Sequence, residues 1–216
     1  MNQKVYEELF NAKSTVIAYG ANPSFDSDPS KIEKWGLEKE GYYLIVGRMI
    51  PDNNADLILE GFIQSDSTKK LVIVGDVPFQ DEYAIRLKIM KDERLLFTGY
   101  VTDPEELKSL YHNCFAYFHG HEYGGTNPTL IKAMAYGCAI LALDTRFSRE
   151  TLQNGKHGWF FGKNPTDLKN IISKAKSEHE KIQELRDTAR DGLTDKYNWD
   201  RVTGRYLEVF EGLRNP

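Results

Sequence analysis

Tyr42-Tyr43-Leu44-Ile45-Val46-Gly47-Arg48 is an unbroken apolar run closed by a glycine and a cation. Five bulky residues with no polar alternation read as a strand covered on both faces, and strands of that kind belong to parallel sheets. Four more runs follow, Leu71–Val74, Arg94–Phe97, Cys114–Phe118 and Ala139–Leu143. Amphipathic stretches with helix-opening signals lie between them. Asp103-Pro104-Glu105-Glu106 offers an N-cap, a proline at the first helical position and a glutamate three residues after the cap. Asp28-Pro29 and Asn164-Pro165 repeat that opening. Strand, crossover helix and strand at spacings of roughly 20 to 30 residues predict an α/β architecture with a doubly wound parallel sheet.

The ends stand apart from this alternation. Residues 1–12 read as a short amphipathic helix, Thr15–Tyr19 as a strand, and Gly20–Asp26 as a turn-rich linker. Residues 167–189 read as one charged helix and Trp199–Leu213 as an amphipathic one. A lone helix and strand ahead of a linker suggest a chain cut from something longer. The expected division is 1–25 as tail and linker, 26–195 as the sheet domain and 196–216 as a closing helix.

Composition narrows the function classes. Of 216 residues, 40% are hydrophobic and 28% charged, which excludes wholesale disorder. The net charge of −4 and the scattered basic residues disfavour a nucleic-acid partner. No apolar run is long enough to span a bilayer, and the first residues lack the apolar core of a signal peptide. Cys114 and Cys138, both in apolar surroundings, read as reduced thiols of a cytoplasmic protein.

In an open parallel sheet, ligands bind beyond the carboxyl ends of the strands. Gly47-Arg48 follows the first strand, Gly75-Asp76 the second and Gly99-Tyr100-Val101 the third. His119-Gly120-His121-Glu122-Tyr123-Gly124-Gly125-Thr126-Asn127-Pro128 follows the fourth. There Gly124-Gly125 allow a close-approaching loop, Thr126 or Asn127 can cap the next helix, and Gly137 can stop it. Free amides and the positive end of a helix dipole suit a phosphate, although an ordinary capped helix carries the same signals. Arg48 can meet a diphosphate bidentately; a surface arginine at a strand end is the plainer reading. His119-x-His121-Glu122 lacks the further ligands a metal needs, so a polar site for hydroxyl groups fits it better. No GxxxxGK[ST] and no GxGxxG after a strand is present.

Taken in order, these pieces resemble the C-terminal, donor-binding domain of family-four retaining glycosyltransferases of the GT-B fold. The matching elements are Tyr43–Arg48, Leu71–Gly75, Leu96–Val101, Glu105–Tyr111, Gly124–Pro128, Ala133–Gly137 and Gly158-Trp159-Phe160. The variant His121-Glu122-x-Gly-Gly-Thr-Asn-Pro is similar to that of rhamnosyltransferase-type members. The resemblance covers roughly residues 40 to 190 and implies one Rossmann-like half of a GT-B enzyme. It implies hexosyl transfer from a nucleoside diphosphate sugar with retained configuration, no metal and no other cofactor. The leaving diphosphate would then be stabilised by cations and amides. Arg48 would be the cation, and Gly125, Thr126 and Asn127 the donors. Gly47 would lie beside the phosphates, the backbone of Tyr100 and Val101 would hold the base, and His121 and Glu122 would meet the sugar, with Arg48 and Glu122 as the catalytic pair.

Three departures accompany the resemblance. Asn53 stands where many members carry a second phosphate-binding lysine. Of the family's two glutamates seven residues apart, the second falls on Lys132 and the first on Gly124, with Glu122 two residues before the expected place. Lys132 cannot accept from a ribose as a carboxylate would. Compensation for Asn53, altered nucleotide choice and lost activity all stand open. A larger gap is the missing acceptor-binding domain that the family places first, against which the closing helix would pack. Glycan or lipid-linked acceptors and a peripheral membrane association of the whole enzyme belong to that part of the resemblance, which leaves the isolated chain inactive or weak. The competing readings are a non-catalytic nucleotide- or sugar-binding α/β module and a sugar-nucleotide epimerase of the same fold.

Overall fold

A computed structural model describes residues 7–77, 81–193 and 195–214. Six strands form one all-parallel sheet: β1 (Tyr42–Val46), β2 (Lys70–Val74), β3 (Leu95–Gly99), β4 (Ala116–His119), β5 (Ile140–Leu143) and β6 (Trp159–Phe161). Their order is β3-β2-β1-β4-β5-β6. The connecting helices are α1 (Ala55–Ile63), α2 (Glu82–Lys88), α3 (Pro104–Asn113), α4 (Pro128–Ala135), α5 (Arg146–Thr151), α6 (Pro165–Ser177) and α7 (His179–Thr188); α8 (Trp199–Arg214) closes the chain.

Each face of the sheet carries its own apolar core, as unbroken apolar strands require. Tyr43, Ile45, Leu71, Ile73 and Phe118 pack against α1 and α6 on one side. Tyr42, Leu44, Val72, Tyr117 and Ala142 pack against α3 and α4 on the other. Helix starts follow the expected chemistry. Asp103, Asn127 and Asn164 accept hydrogen bonds from amides of the first turn, each with proline at the helix start. Asp28 caps Pro29–Trp35 in the same way, and that turn winds as a 3-10 helix.

Three expectations need correction. Among the described residues, Thr15–Tyr19 pairs with no strand. This segment passes outside the sheet, and its continuation is held by Ala21 N–H donating to the Tyr197 carbonyl and Ser24 N–H to that of Ala135. The open edges of the sheet lie at β3 and β6, and this segment pairs with neither, so its β-favouring residues form no strand. The expected helix over 1–12 falls partly outside the described residues, and residues 7–10 are helical. The stretch 167–189 is two helices broken at Glu178, whose φ of −110° and ψ of 49° leave the helical region. A sixth strand, Trp159–Phe161, extends the sheet in a place where three residues between glycines are too few for a periodic signal.

Candidate functional site

Strand order reverses at β1, which has β2 on one side and β4 on the other. The chain therefore leaves β1 and β4 in opposite directions and opens a crevice at their carboxyl ends. A cavity of about 270 Å³ lies there, lined among others by Gly47, Arg48, Asn53, His119, His121 and the Asn127-Pro128-Thr129 turn. Two glycines let its walls close. Gly75 has φ +122°, and a Cβ on it would stand 2.0 Å from the Gly47 carbonyl oxygen. A Cβ on Gly120 would stand 2.3 Å from the Asn53 carbonyl oxygen.

Hydrogen bonds tie the loop after β1 to the loop after β4. Asn54 Nδ2 donates to the Gly120 carbonyl at 2.9 Å, and the Glu122 amide to the Asp52 carbonyl at 2.9 Å. Asn53 Nδ2 donates to the Arg48 carbonyl at 2.7 Å, which leaves Asn53 Oδ1 to accept from His121 Nδ1 at 2.6 Å. Burial lowers the His121 pKa first of all, against a backbone hydrogen bond at Tyr123 and the Asp52 charge. Glu122 accepts from Lys163 Nζ at 2.5 Å and from Asn54 Nδ2 at 3.3 Å. The Lys163 bond is the main reason that the Glu122 carboxyl lies below its ordinary range.

Other polar groups at the cavity remain open. The Arg48 side chain is exposed and pairs with no carboxylate among the described residues. Asn127 Oδ1 takes both the amide and the hydroxyl of Thr129, so part of the α4 N-terminus is self-capped. The amide of Asn127 at the cavity, and those of Gly125 and Thr126 in the adjoining loop, find no acceptor among the described residues. His119, at the end of β4, is 4% exposed, and burial pushes its pKa down to about 3. Its imidazole is therefore neutral. A guanidinium, open main-chain donors and a neutral imidazole around one crevice suit an oxyanion.

Residues 27–192 match the family of glycosyl transferases group 1. The chain belongs to this family. An uncharacterized glycosyltransferase of Methanocaldococcus jannaschii is 26% identical over 176 residues, 79% of this chain and 45% of that protein. A Campylobacter jejuni N-acetylgalactosamine-N,N'-diacetylbacillosaminyl-diphospho-undecaprenol 4-alpha-N-acetylgalactosaminyltransferase is 25% identical over 107 residues, 49% of this chain and 28% of that one. The chain thus spans less than half the length of these curated relatives. Anabaena HepE, solved with UDP, superposes with a TM-score of 0.77 at 18% identity, covering 92% of this chain and 57% of its own. A Rickettsia africae glycosyltransferase superposes with a TM-score of 0.82 at 17% identity, covering 99% and 62%. The fold is that of one Rossmann-like half of a GT-B glycosyltransferase.

Measured against the group 1 resemblance, the expected residues divide. The cavity brings together Gly47, Arg48, Asn53, His121 and Asn127. Gly125 and Thr126 line a smaller neighbouring hollow of about 90 Å³ with Phe147 and Tyr197. Tyr100 is exposed and its hydroxyl donates to the Asp76 carbonyl at 2.9 Å, while Val101 packs against the α3–α4 core. Gly124, with φ +121°, Glu122 and Lys132 lie outside the cavity lining. Asn53 spends its amide on Arg48 and His121, so it shapes the loop where a lysine would have brought charge. Lys163 and Asn54 were not legible as members of this cluster. Lys163 is 41 positions from Glu122, and nothing local marks that pairing.

Proposed function

We propose that this chain is the donor-binding part of a retaining, metal-independent hexosyltransferase that uses a nucleoside diphosphate sugar. The observation that carries the reading is the placement of Arg48 and the α4 N-terminus on one crevice at the sheet's switch point. A departing nucleoside diphosphate needs its developing charge met, and a guanidinium with fixed main-chain donors can do so without reorganisation. UDP and UDP-glucose in complexes of HepE support a diphosphate nucleotide as the ligand class. In this reading Gly47, Arg48, Gly125, Thr126 and Asn127 hold the diphosphate, and Tyr100 and Val101 border the base. His121, Glu122 and Gly124 face the sugar, and Lys132 adds positive charge near the nucleotide.

The acceptor, a glycan or lipid-linked glycan, would be bound by an N-terminal domain of the whole enzyme, working at the cytoplasmic side in polysaccharide synthesis, with peripheral membrane contact. The undecaprenol-linked substrate named for the Campylobacter relative supports that class. Among the described residues, no helix is long and apolar enough to cross a membrane. On α8, Tyr206, Leu207, Phe210 and Leu213 are exposed and only Val202 is buried, which fits a helix whose apolar face packs on that other domain. The isolated chain would then bind donor and transfer sugar poorly or not at all.

Calorimetry of this chain with uridine, thymidine, guanosine and adenosine diphosphates tests the reading. Micromolar binding of one of them, weakened about tenfold or more in Arg48→Ala, is the expected result. Binding of none would favour the second reading, a non-catalytic α/β module, which the engaged side chain of Asn53 and the loss of a carboxylate at Lys132 support.

A further inference from the structure

His119 and His121 are two residues apart, and the fold gives them different work. His121 is fastened: its Nδ1 bonds Asn53 Oδ1 at 2.6 Å and so joins the loops after β1 and β4. His119 is not. Its ring is nine-tenths buried and lines the cavity, yet neither nitrogen has a hydrogen-bond partner among the described residues. Its neighbours are aromatic rings, Tyr117 at 6.2 Å and His121 at 6.1 Å between centroids. Its nitrogens, with no protein partner and not among the sealed unpaired polar atoms of the described residues, open to the cavity, where a ligand can meet them.

Geometry says which ligand atom could serve. His119 ends β4 on the sheet face occupied by Tyr117 and α4, and it shares the cavity with Asn127, Pro128 and Thr129 at the start of that helix. Arg48 lines the same cavity. The positive end of the helix dipole, the guanidinium and the imidazole N–H therefore all favour an acceptor carrying negative charge. A ring kept neutral by burial retains one N–H to donate and adds no charge of its own until a ligand arrives.

We propose that His119 is a ligand-contacting residue whose imidazole N–H donates to a phosphate oxygen of the bound nucleoside diphosphate. The proposal rests on the donor-binding reading and adds to it a residue that the loop glycines and Arg48 do not imply. It makes the two histidines inequivalent, one building the loop and the other reading the ligand.

Calorimetry of the full chain with inorganic pyrophosphate and the four nucleoside diphosphates tests this, beside NMR of its histidine ring nitrogens. For the nucleotide that binds, His119→Phe is expected to weaken affinity about tenfold, with His119→Gln or His119→Asn recovering part through an amide N–H. In the wild-type spectrum, the nitrogen signal that disappears in His119→Gln should shift when pyrophosphate saturates the site. A folded His119→Phe with wild-type affinity, or an unmoved His119 signal at saturation, overturns the proposal. If Arg48→Ala still weakens binding in that case, the donor-binding reading survives without it. If the wild-type chain binds neither pyrophosphate nor any nucleotide, both fall.

Discussion

The arginines at the amino rim of the sheet and Arg48 at its carboxyl rim are used in opposite ways. At the amino rim, Arg94 is saturated. It pairs with Asp92 at 2.6 Å and donates to the carbonyls of Ser65 and Ser67 at 3.1 and 2.7 Å and of Ile63 at 3.1 Å. Arg186 donates to the carbonyls of Cys114 and His112, and Arg190 to that of Ser24. These guanidiniums satisfy main-chain acceptors where strands begin and helices end. At the carboxyl rim Arg48 has no such partner, and His119 beside it has none either. A folded protein satisfies its buried polar groups wherever it can. Arg149, also at the carboxyl rim, is paired with Asp144 at 2.6 Å, so the open polar groups are confined to the β1–β4 crevice.

The largest expected effect tests the saturated rim. Arg94→Ala strands a carboxylate that is 13% exposed and several carbonyls, and should cost about 3 kcal/mol of stability by denaturant titration. A loss under about 1 kcal/mol would remove the contrast between the rims. Next comes His112, also at the amino rim. Its ring stacks on Tyr136 and Nε2 lies 3.2 Å from Ser24 Oγ. Burial, then the charges of Arg190, Lys108 and Arg186, push its pKa down to about 4, against Asp26. An unfolded histidine titrates near 6.5, so between pH 6.5 and 4 the unfolded chain holds the extra proton and stability falls as pH falls. His112→Phe should flatten that slope by about 1 kcal/mol between pH 7 and 5, read from melts across pH. An unchanged slope would show that the folded ring takes up its proton over the same pH range as the unfolded one.

Asn127→Ala sharpens the comparison at the other rim. It removes the α4 cap and should cost about 1 kcal/mol, far less than Arg94→Ala. The smallest effect is expected of Arg48→Ala, within about 0.5 kcal/mol of wild type in stability, because its side chain is exposed and carries no carboxylate partner. A substantial destabilisation there would make Arg48 one more structural arginine.

Much of this was legible because it is local or face-wide. Tyr42–Val46 reads as a covered strand from its own five residues, and Asp103, Asn127 and Asn164 announce their helices by capping chemistry within a turn. The segment Thr15–Tyr19 shows the limit, since β-favouring residues form a strand only where the chain brings them alongside a partner edge. The site divides in the same way. Arg48 and the Gly124–Pro128 loop stood out by position after a strand. By contrast, the Lys163–Glu122 pair and the engagement of Asn53 with His121 join residues 41 and 68 positions apart.

Alone, the amino-acid order determined the alternation of covered strands and capped helices, because burial period and capping act over a few residues. It also marked the edge of the sheet at which glycines and a cation collect. The tertiary structure decided which polar groups are spent and which stay open. That outcome depends on whether a distant acceptor comes within about 3 Å, a distance set by the packing of whole layers.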